Sequence, residues 1–325
     1  MQEAEDKANL PELNKERGIN PHGDIIERDI PQIDLTSFKE RKLEITDSLW
    51  NAAKDCGFFQ LINHSIPPDQ VTRAFYLTEN FFDLPKQDKS EFPLLPGTNA
   101  GWEYMAQIRP STGVEDKKES FQITLPRMEN LWPKLNGFKA EMQAFERANW
   151  ELGMQVLSCF ALRLGFSEDF FTNAHNRSSR HYQSTLRLLH YLPLEQGEDA
   201  AQVWRAGAHT DFDCLTLLHQ RPNQAGLQVC PGADASASSW TNVPAKEGVI
   251  TCNIGDMLMR WSDNELRSTL HRVVMPENKE NSKSRYSLAF FCQANTDVII
   301  KSPKETYPPI TAGDYLKERV TANSL

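Results

Sequence analysis

From about residue 183 the chain stops reading as helix and becomes a series of short apolar runs. They are STLRLLHYL (184–192), CLTLLHQ (214–220), LQVC (227–230), GVITCNI (248–254), DMLMRW (256–261), STLHRVV (268–274) and RYSLAFFCQ (285–293), separated by Gly, Pro, Asn and Asp. Each run is too short to be a stable element alone. Several strands at this spacing bury their apolar sides by folding into an antiparallel sandwich or barrel. The half before residue 183 has a different pattern. Helical spacing runs over about 39–56, 68–82 and 134–164, the last with Leu152, Val156, Leu157, Phe160 and Leu164 on one stripe and Gly165 as its stop. IPQIDL (30–35) and GFFQLINHSI (57–66) read as strands, and 90–130 is rich in Pro and Gly. The expected organisation is a polar leader (1–29), a helical N-terminal region (30–180), a β core (181–300) and a C-terminal tail (301–325), working as one unit: mainly β with flanking helices.

Composition narrows the class. With 39% hydrophobic and 24% charged residues over 325 positions, a sizeable core is available. A net charge of −9 argues against a nucleic-acid partner, which needs a basic face. The six cysteines (56, 159, 214, 230, 252, 292) contain no C-x-x-C pair and read as reduced, packed thiols. The N-terminus lacks a basic start followed by an apolar run, and no apolar run approaches the length of a membrane span. A cytoplasmic monomer is the expectation.

The chemistry-bearing residues lie inside the strand-like runs. In AHTDFDCLTLL, His209 and Asp211 are two apart, so in extended chain they face the same way. Alone, His271 in STLHRVV reads as a satisfied core histidine. RYSLAFF shifts that reading, because Arg285 and Ser287 again put polar groups on one face of an apolar strand. A guanidinium offers a bidentate fork for a carboxylate and a hydroxyl adds one more bond. Two histidines and a carboxylate on one side of iron leave three coordination positions open.

With H-x-D, then His, then R-x-S in that order, the chain resembles the iron(II)- and 2-oxoglutarate-dependent oxygenases of the isopenicillin N synthase-like family. The matching segments are AHTDFDCLTLL, GLQV, NIGDMLMRWSDNELRSTLHRVV and RYSLAFF, with IPQIDL and GFFQLINHSIP in the N-terminal region. LRLLHY, RAGAHTD and STLHRVV look most like fungal thymine hydroxylase and fungal oxygenases of secondary metabolism, including tropolone-forming ring-expansion enzymes. The resemblance implies a double-stranded β-helix (jelly roll) with Fe(II) on His209, Asp211 and His271. It implies 2-oxoglutarate and O2 as co-substrates, with 2-oxoglutarate ending on Arg285 and Ser287. Tyr191 falls where many members place a tyrosine that helps bind the same carboxylate. Leu189 and His190 precede it where plant members often carry Asn and Tyr, so an asparagine contact is absent here.

The implied activity is oxidative decarboxylation of 2-oxoglutarate to succinate, coupled to hydroxylation or rearrangement of a small cyclic substrate. Arg187 shares strand parity with Tyr191, and Phe291 with Arg285 and Ser287, while Phe212 follows the metal-binding aspartate. Arg187, Phe212 and Phe291 are the candidate substrate-binding residues. For Arg187 the competing expectation is a strand-end arginine reaching water, and for either Phe it is plain core. The segment 100–113 is a candidate lid. Two other functions remain open at this point: an iron oxidase that does not use 2-oxoglutarate, and a catalytically silent binding or sensor protein on the same barrel.

Overall fold

The computed structural model describes residues 23–108, 112–199, 203–222, 224, 226–230, 239–275 and 283–322. Most of the expected leader (1–22) lies outside the described residues. In chain order the elements are β1 (Gln32–Asp34), α1 (Lys42–Asp55), β2 (Phe58–Ile62), α2 (Pro68–Phe82), α3 (Lys86–Lys89), β3 (Gly101–Tyr104), β4 (Lys118–Ile123), α4 (Phe138–Arg163), α5 (Phe170–Ala174), β5 (Thr185–Tyr191), β6 (Trp204–His209), β7 (Leu215–Gln220), β8 (Leu227–Val229), β9 (Thr241–Asn242), β10 (Ile250–Ile254), α6 (Asp256–Trp261), β11 (His271–Val274), β12 (Arg285–Cys292), β13 (Ile299–Ile300), β14 (Ile310–Thr311) and α7 (Ala312–Ala322).

The strands form an eight-stranded sheet in the order β1-β2-β10-β7-β12-β5-β4-β3, a four-stranded sheet β6-β11-β8-β9, and a small β13-β14 pair. Among the described strands, β1 and β2 are the one pair that runs parallel. Because directly paired residues of a ladder share a face, the register divides the large sheet into two surfaces. One carries Leu186, Leu188, Leu215, Leu217, Cys252, Leu288 and Phe290 and belongs to the main apolar core, together with Leu152, Val156, Leu157 and Phe160 of α4. The 26-residue α4, about 39 Å long, lies against this surface. At the contact a Cβ on Gly153 would fall 2.6 Å from Cys292 Sγ, so the absence of a side chain sets how closely helix and sheet approach. Gly137 and Gly165, at φ +75° and +79°, bracket α4 in the left-handed conformation that glycine adopts without a Cβ clash.

The other surface faces the small sheet. Phe58, Leu189, Tyr191 and Ala289 of the large sheet pack with Ala206, Leu227, Val229 and Val273 of the small one in a second apolar cluster. Two antiparallel sheets joined through such a cluster, backed by helices, form a jelly-roll core with a helical N-terminal region.

Two local expectations fail. Residues 256–261 form the helix α6 rather than a strand. A short run buried on every side carries no readable period, and all six of its residues are buried. The candidate lid is partly ordered sheet: Gly101–Tyr104 pair with β4 as an edge strand, whereas 109–111 lie outside the described residues. In α1 the inward stripe is Ile45, Leu49, Trp50 and Ala53, and Leu43 is 78% exposed.

Candidate active site

Three ligating atoms converge where the sheets meet. His209 ends β6 and stands opposite His271 in the β6–β11 ladder, with ring centroids 4.3 Å apart. Asp211 follows in the turn toward β7, and its Oδ1 lies 3.9 Å from His209 Nε2 and 3.7 Å from His271 Nε2. One ligand atom from each residue falls within a cluster 4.8 Å across.

Each of the three is oriented by its other polar atom. Nδ1 of His209 donates to the Gly207 carbonyl at 2.7 Å, and Nδ1 of His271 to the Thr269 carbonyl at 3.2 Å. These bonds hold the tautomer whose Nε2 keeps its lone pair. Asp211 Oδ2 accepts from Thr216 Oγ1 at 2.6 Å and from Asn253 Nδ2 at 2.8 Å, which leaves Oδ1 for the histidine side. Phe58 packs edge-on against His271 with centroids 5.5 Å apart. Two neutral imidazole nitrogens and one carboxylate oxygen, converging from one side, fit iron(II).

The large sheet's inner surface carries the second set. Along β12, Arg285, Ser287, Ala289 and Phe291 stand opposite Tyr191, Leu189, Arg187 and Thr185 of β5. Beyond β5 lie Lys118, Ser120 and Gln122 of β4. On the other side Phe291 pairs with Thr216, which pairs with Asn253. Thr216 and Asn253, which hold Asp211, therefore lie on the same face of the sheet as Arg285 and Ser287, with Ala289 and Phe291 between them.

Arg285 is 2% exposed, its Nε donates to the Gln224 carbonyl at 3.0 Å, and its guanidinium lies over the Tyr191 ring at 4.7 Å. Among the described residues, both Nη atoms of Arg285 and the Ser287 hydroxyl are buried without a hydrogen-bond partner. Burial pulls the Arg285 guanidinium below its ordinary value. A fork and a hydroxyl left unsatisfied in the interior are costly unless an acceptor completes them. The distal carboxylate of a 2-oxo diacid fits that requirement.

Arg187 sits in mid-strand rather than at a strand end. Its Nη2 forms an ion pair with Glu103 and its Nε donates to Ser120 Oγ at 3.1 Å. Glu103 also accepts from Ser120, Gln122 and Gln107. Burial alone would raise the Glu103 carboxyl, but Arg187, Ser120 and Lys118 outweigh it and hold it below the usual range. Phe291 is half-buried beside Thr216. The Phe212 ring lies 4.4 Å from the Arg319 guanidinium of α7. Arg319 pairs with Asp256 at 2.6 Å and donates to Thr210 at 3.0 Å, tying α7 to the segment that carries Asp211.

Sequence reasoning did not single out Thr216, Asn253, Glu103, Ser120 or Phe58. A signal existed for two of them: Thr216 in CLTLLHQ and Asn253 in ITCNI are polar residues inside otherwise apolar strands.

The comparisons with known proteins agree with this geometry. Residues 182–294 match the 2OG-Fe(II) oxygenase superfamily, and residues 30–135 match the non-haem dioxygenase in morphine synthesis N-terminal family. A UPF0676 protein of Schizosaccharomyces pombe is 31% identical over 306 residues, spanning 90% of this chain and 92% of that one. A proline hydroxylase of Petromyces alliaceus is 30% identical, over 84% of this chain and 90% of its own. Among solved structures, thymine hydroxylase of Neurospora crassa with alpha-KG superposes with a TM-score of 0.80 at 30% identity, covering 93% of this chain and 98% of that one. The same enzyme with alpha-KG and thymine gives 0.79, covering 94% of this chain and 98% of that one. A likeness that runs through nearly the whole length in both sequence and fold makes this chain a member of the 2OG-Fe(II) oxygenase superfamily, an enzyme that uses iron and 2-oxoglutarate.

Proposed function

We propose that the protein is a 2-oxoglutarate-dependent hydroxylase of a small cyclic compound. His209, Asp211 and His271 hold iron(II), and Arg285, Ser287 and Tyr191 hold 2-oxoglutarate. Arg187, Phe291 and Phe212 bound the substrate. The observation that carries this reading is the unpaired fork of Arg285 with the unpaired Ser287 hydroxyl, on the same surface that supports Asp211. When bound, iron with 2-oxoglutarate and O2 supplies the oxidation: one oxygen atom enters the substrate C–H bond, the other enters succinate, and CO2 leaves.

The chain's own residues bind and orient. Arg285 and Ser287 fix one end of the co-substrate, so its 2-oxo acid end is presented to the metal in one register. Arg187 beside Glu103 offers donors next to an acceptor, which suits a ring bearing a carbonyl beside an N–H or hydroxyl. Leu189, Ala289 and Phe291 supply apolar surface for the ring and help exclude water. Two relatives are named or solved with ring compounds, proline and thymine. All six cysteines are free and buried, which supports a reducing, cytoplasmic setting. Among the described residues no helix is long and apolar enough to cross a membrane. A monomer working in secondary metabolism completes the reading.

The test is a panel of pyrimidines, cyclic amino acids and cyclic phenols, with iron(II) and 2-oxoglutarate, scored for succinate and product together. One substrate-dependent succinate per product is expected. Product without succinate would favour the oxidase reading, and no 2-oxoglutarate turnover with any compound would favour a silent binding protein. Product mass separates hydroxylation, which adds one oxygen, from desaturation, which removes two hydrogens. Arg187→Met alone strands a buried carboxylate, so Glu103→Gln/Arg187→Met is the informative variant. It should keep 2-oxoglutarate binding but make more succinate per product. An unchanged ratio and rate would make Arg187 a structural partner of Glu103 only.

A further inference from the structure

A second buried arginine borders the same stretch of backbone as the Arg285 fork. Arg205 is on β6, the strand that ends at His209, and is 2% exposed. Its Nη2 donates to the Lys283 carbonyl at 2.7 Å, and its Nε is buried without a hydrogen-bond partner. Its Nη1 lies against bare backbone. A Cβ on Gly226 would fall 3.9 Å from that atom and 2.8 Å from the Val274 carbonyl, and Gly226 has φ +125°, so no side chain stands there. Arg285 Nε meets the carbonyl of Gln224, so both guanidinium groups border the same short stretch. Their charges oppose one another: burial, and then the neighbouring Arg285 charge, pull Arg205 down to about 10. Among the described residues no carboxylate offsets either group.

Two buried guanidinium groups side by side are tolerated where an anion joins them. Among the described residues the unsatisfied donor atoms here include Arg285 Nη1 and Nη2, Ser287 Oγ and Arg205 Nε, with Gln220 Nε2 also unsatisfied opposite Ser287. A carboxylate offers about four lone-pair sites, enough to take bonds from both arginines at once.

We propose that Arg205 is a second co-substrate-binding residue, and that the distal carboxylate of 2-oxoglutarate is held between Arg205 and Arg285. This rests on Arg285 being the anchor for that carboxylate. The consequence is sharper selection for a dicarboxylate, because a 2-oxo acid without the distal charge leaves two like charges facing each other.

The experiment measures binding rather than turnover. Manganese(II)-loaded protein, held anaerobic, is titrated calorimetrically with 2-oxoglutarate and with 2-oxovalerate, which has the same chain length and a methyl end. Arg205→Met should weaken 2-oxoglutarate by about tenfold to a hundredfold, as expected for a lost bond between charged groups, and leave 2-oxovalerate within about twofold. Ligand-free Arg205→Met should melt no lower than the native protein, because an unneutralised buried charge is gone. An unchanged affinity for 2-oxoglutarate, or equal weakening of both ligands, overturns the proposal. Should Arg205→Met not fold, Arg205→Lys decides, since it keeps the charge and loses the planar fork. It must weaken 2-oxoglutarate selectively, and no change overturns the proposal. Arg285→Met in parallel separates the two claims: an unchanged 2-oxoglutarate affinity there removes the anchor itself, whatever Arg205 does.

Discussion

Asn253→Leu tests how the aspartate is aimed. The replacement keeps asparagine's branched outline, is larger, and removes one donor. In the native protein Asp211 is 8% exposed, and its Oδ2 is held by Thr216 at 2.6 Å and Asn253 at 2.8 Å. Both are short bonds to a buried carboxylate, each worth about 1.5–3 kcal/mol. The bond exists with and without metal, so only part of that energy appears in metal affinity. The part that does is orientation: with one holder gone, Oδ1 is no longer fixed toward the two Nε2 atoms. Loss of such a partner behind a ligand costs about tenfold to a hundredfold in metal binding, or about 1.4–2.8 kcal/mol. Chelator competition with iron(II) or cobalt(II) under anaerobic conditions measures it, and melting of the metal-free protein serves as the fold control. Thr216→Val should cost more stability, because the same hydroxyl oxygen also lies within hydrogen-bond distance of Asp213 Oδ2, at 3.1 Å. Since both donors hold one oxygen, the double variant should depart from additivity by about 0.5 kcal/mol or more. A folded Asn253→Leu protein that binds metal within about twofold of the native one would refute the reasoning that second partners set this site.

Three further outcomes are expected. His209→Ala, Asp211→Ala and His271→Ala should each abolish iron-dependent turnover; the histidine variants should leave the melting of the metal-free protein near native, whereas Asp211→Ala also strands the Thr216 and Asn253 donors and should melt lower. Activity surviving in any of them at limiting iron would remove that residue from the ligand set. Arg285→Ala should raise the KM for 2-oxoglutarate by about tenfold to a hundredfold and that for the prime substrate far less, with Arg285→Lys recovering only part; an unmoved KM for 2-oxoglutarate would refute it. Finally, burial holds His175 down to about 4 and His219 down to about 3, so both stay neutral in the fold while the unfolded chain takes up their protons below about 6.5. Their contribution is therefore intact above pH 6.5 and is lost as pH falls toward those lower values, by about 1.4 kcal/mol per pH unit for each. His219→Gln in the metal-free protein should flatten the acid limb of stability against pH, and an unchanged slope would rule His219 out as a source.

The proposed 2-oxoglutarate anchor and the proposed substrate surface differ in how local their logic is. Arg285 and Ser287 sit two apart in one strand, so alternation alone puts them on one face. Arg187 is also legible by parity with Tyr191, but its partner is not. Glu103 lies in a stretch that reads as loop and becomes an edge strand only by pairing with β4. Arg187 therefore looks in sequence like a free cation awaiting a substrate, and in the fold it is half of an ion pair. Phe212 shows the same effect from the C-terminal side: its neighbour in the sequence is Asp211, the proposed metal ligand, whereas its ring meets Arg319 from the last helix.

Amino-acid order by itself determined the class of fold, the long backing helix, and the residue types of the H-x-D, His and R-x-S sets, because each depends on periodicity within one short segment. It also determined that these side chains would be polar groups on otherwise apolar strands. Only the tertiary structure decided that Thr216 and Asn253 share one oxygen of Asp211, that Phe58 braces His271, and that Arg205 and Arg285 reach neighbouring residues, Gly226 and Gln224. Those partners are brought together by cross-strand register and by the packing of one sheet on the other. The run 256–261 became a helix for a related reason: buried on all sides, it has no exposed face from which a period could be read, and its surroundings chose between helix and strand.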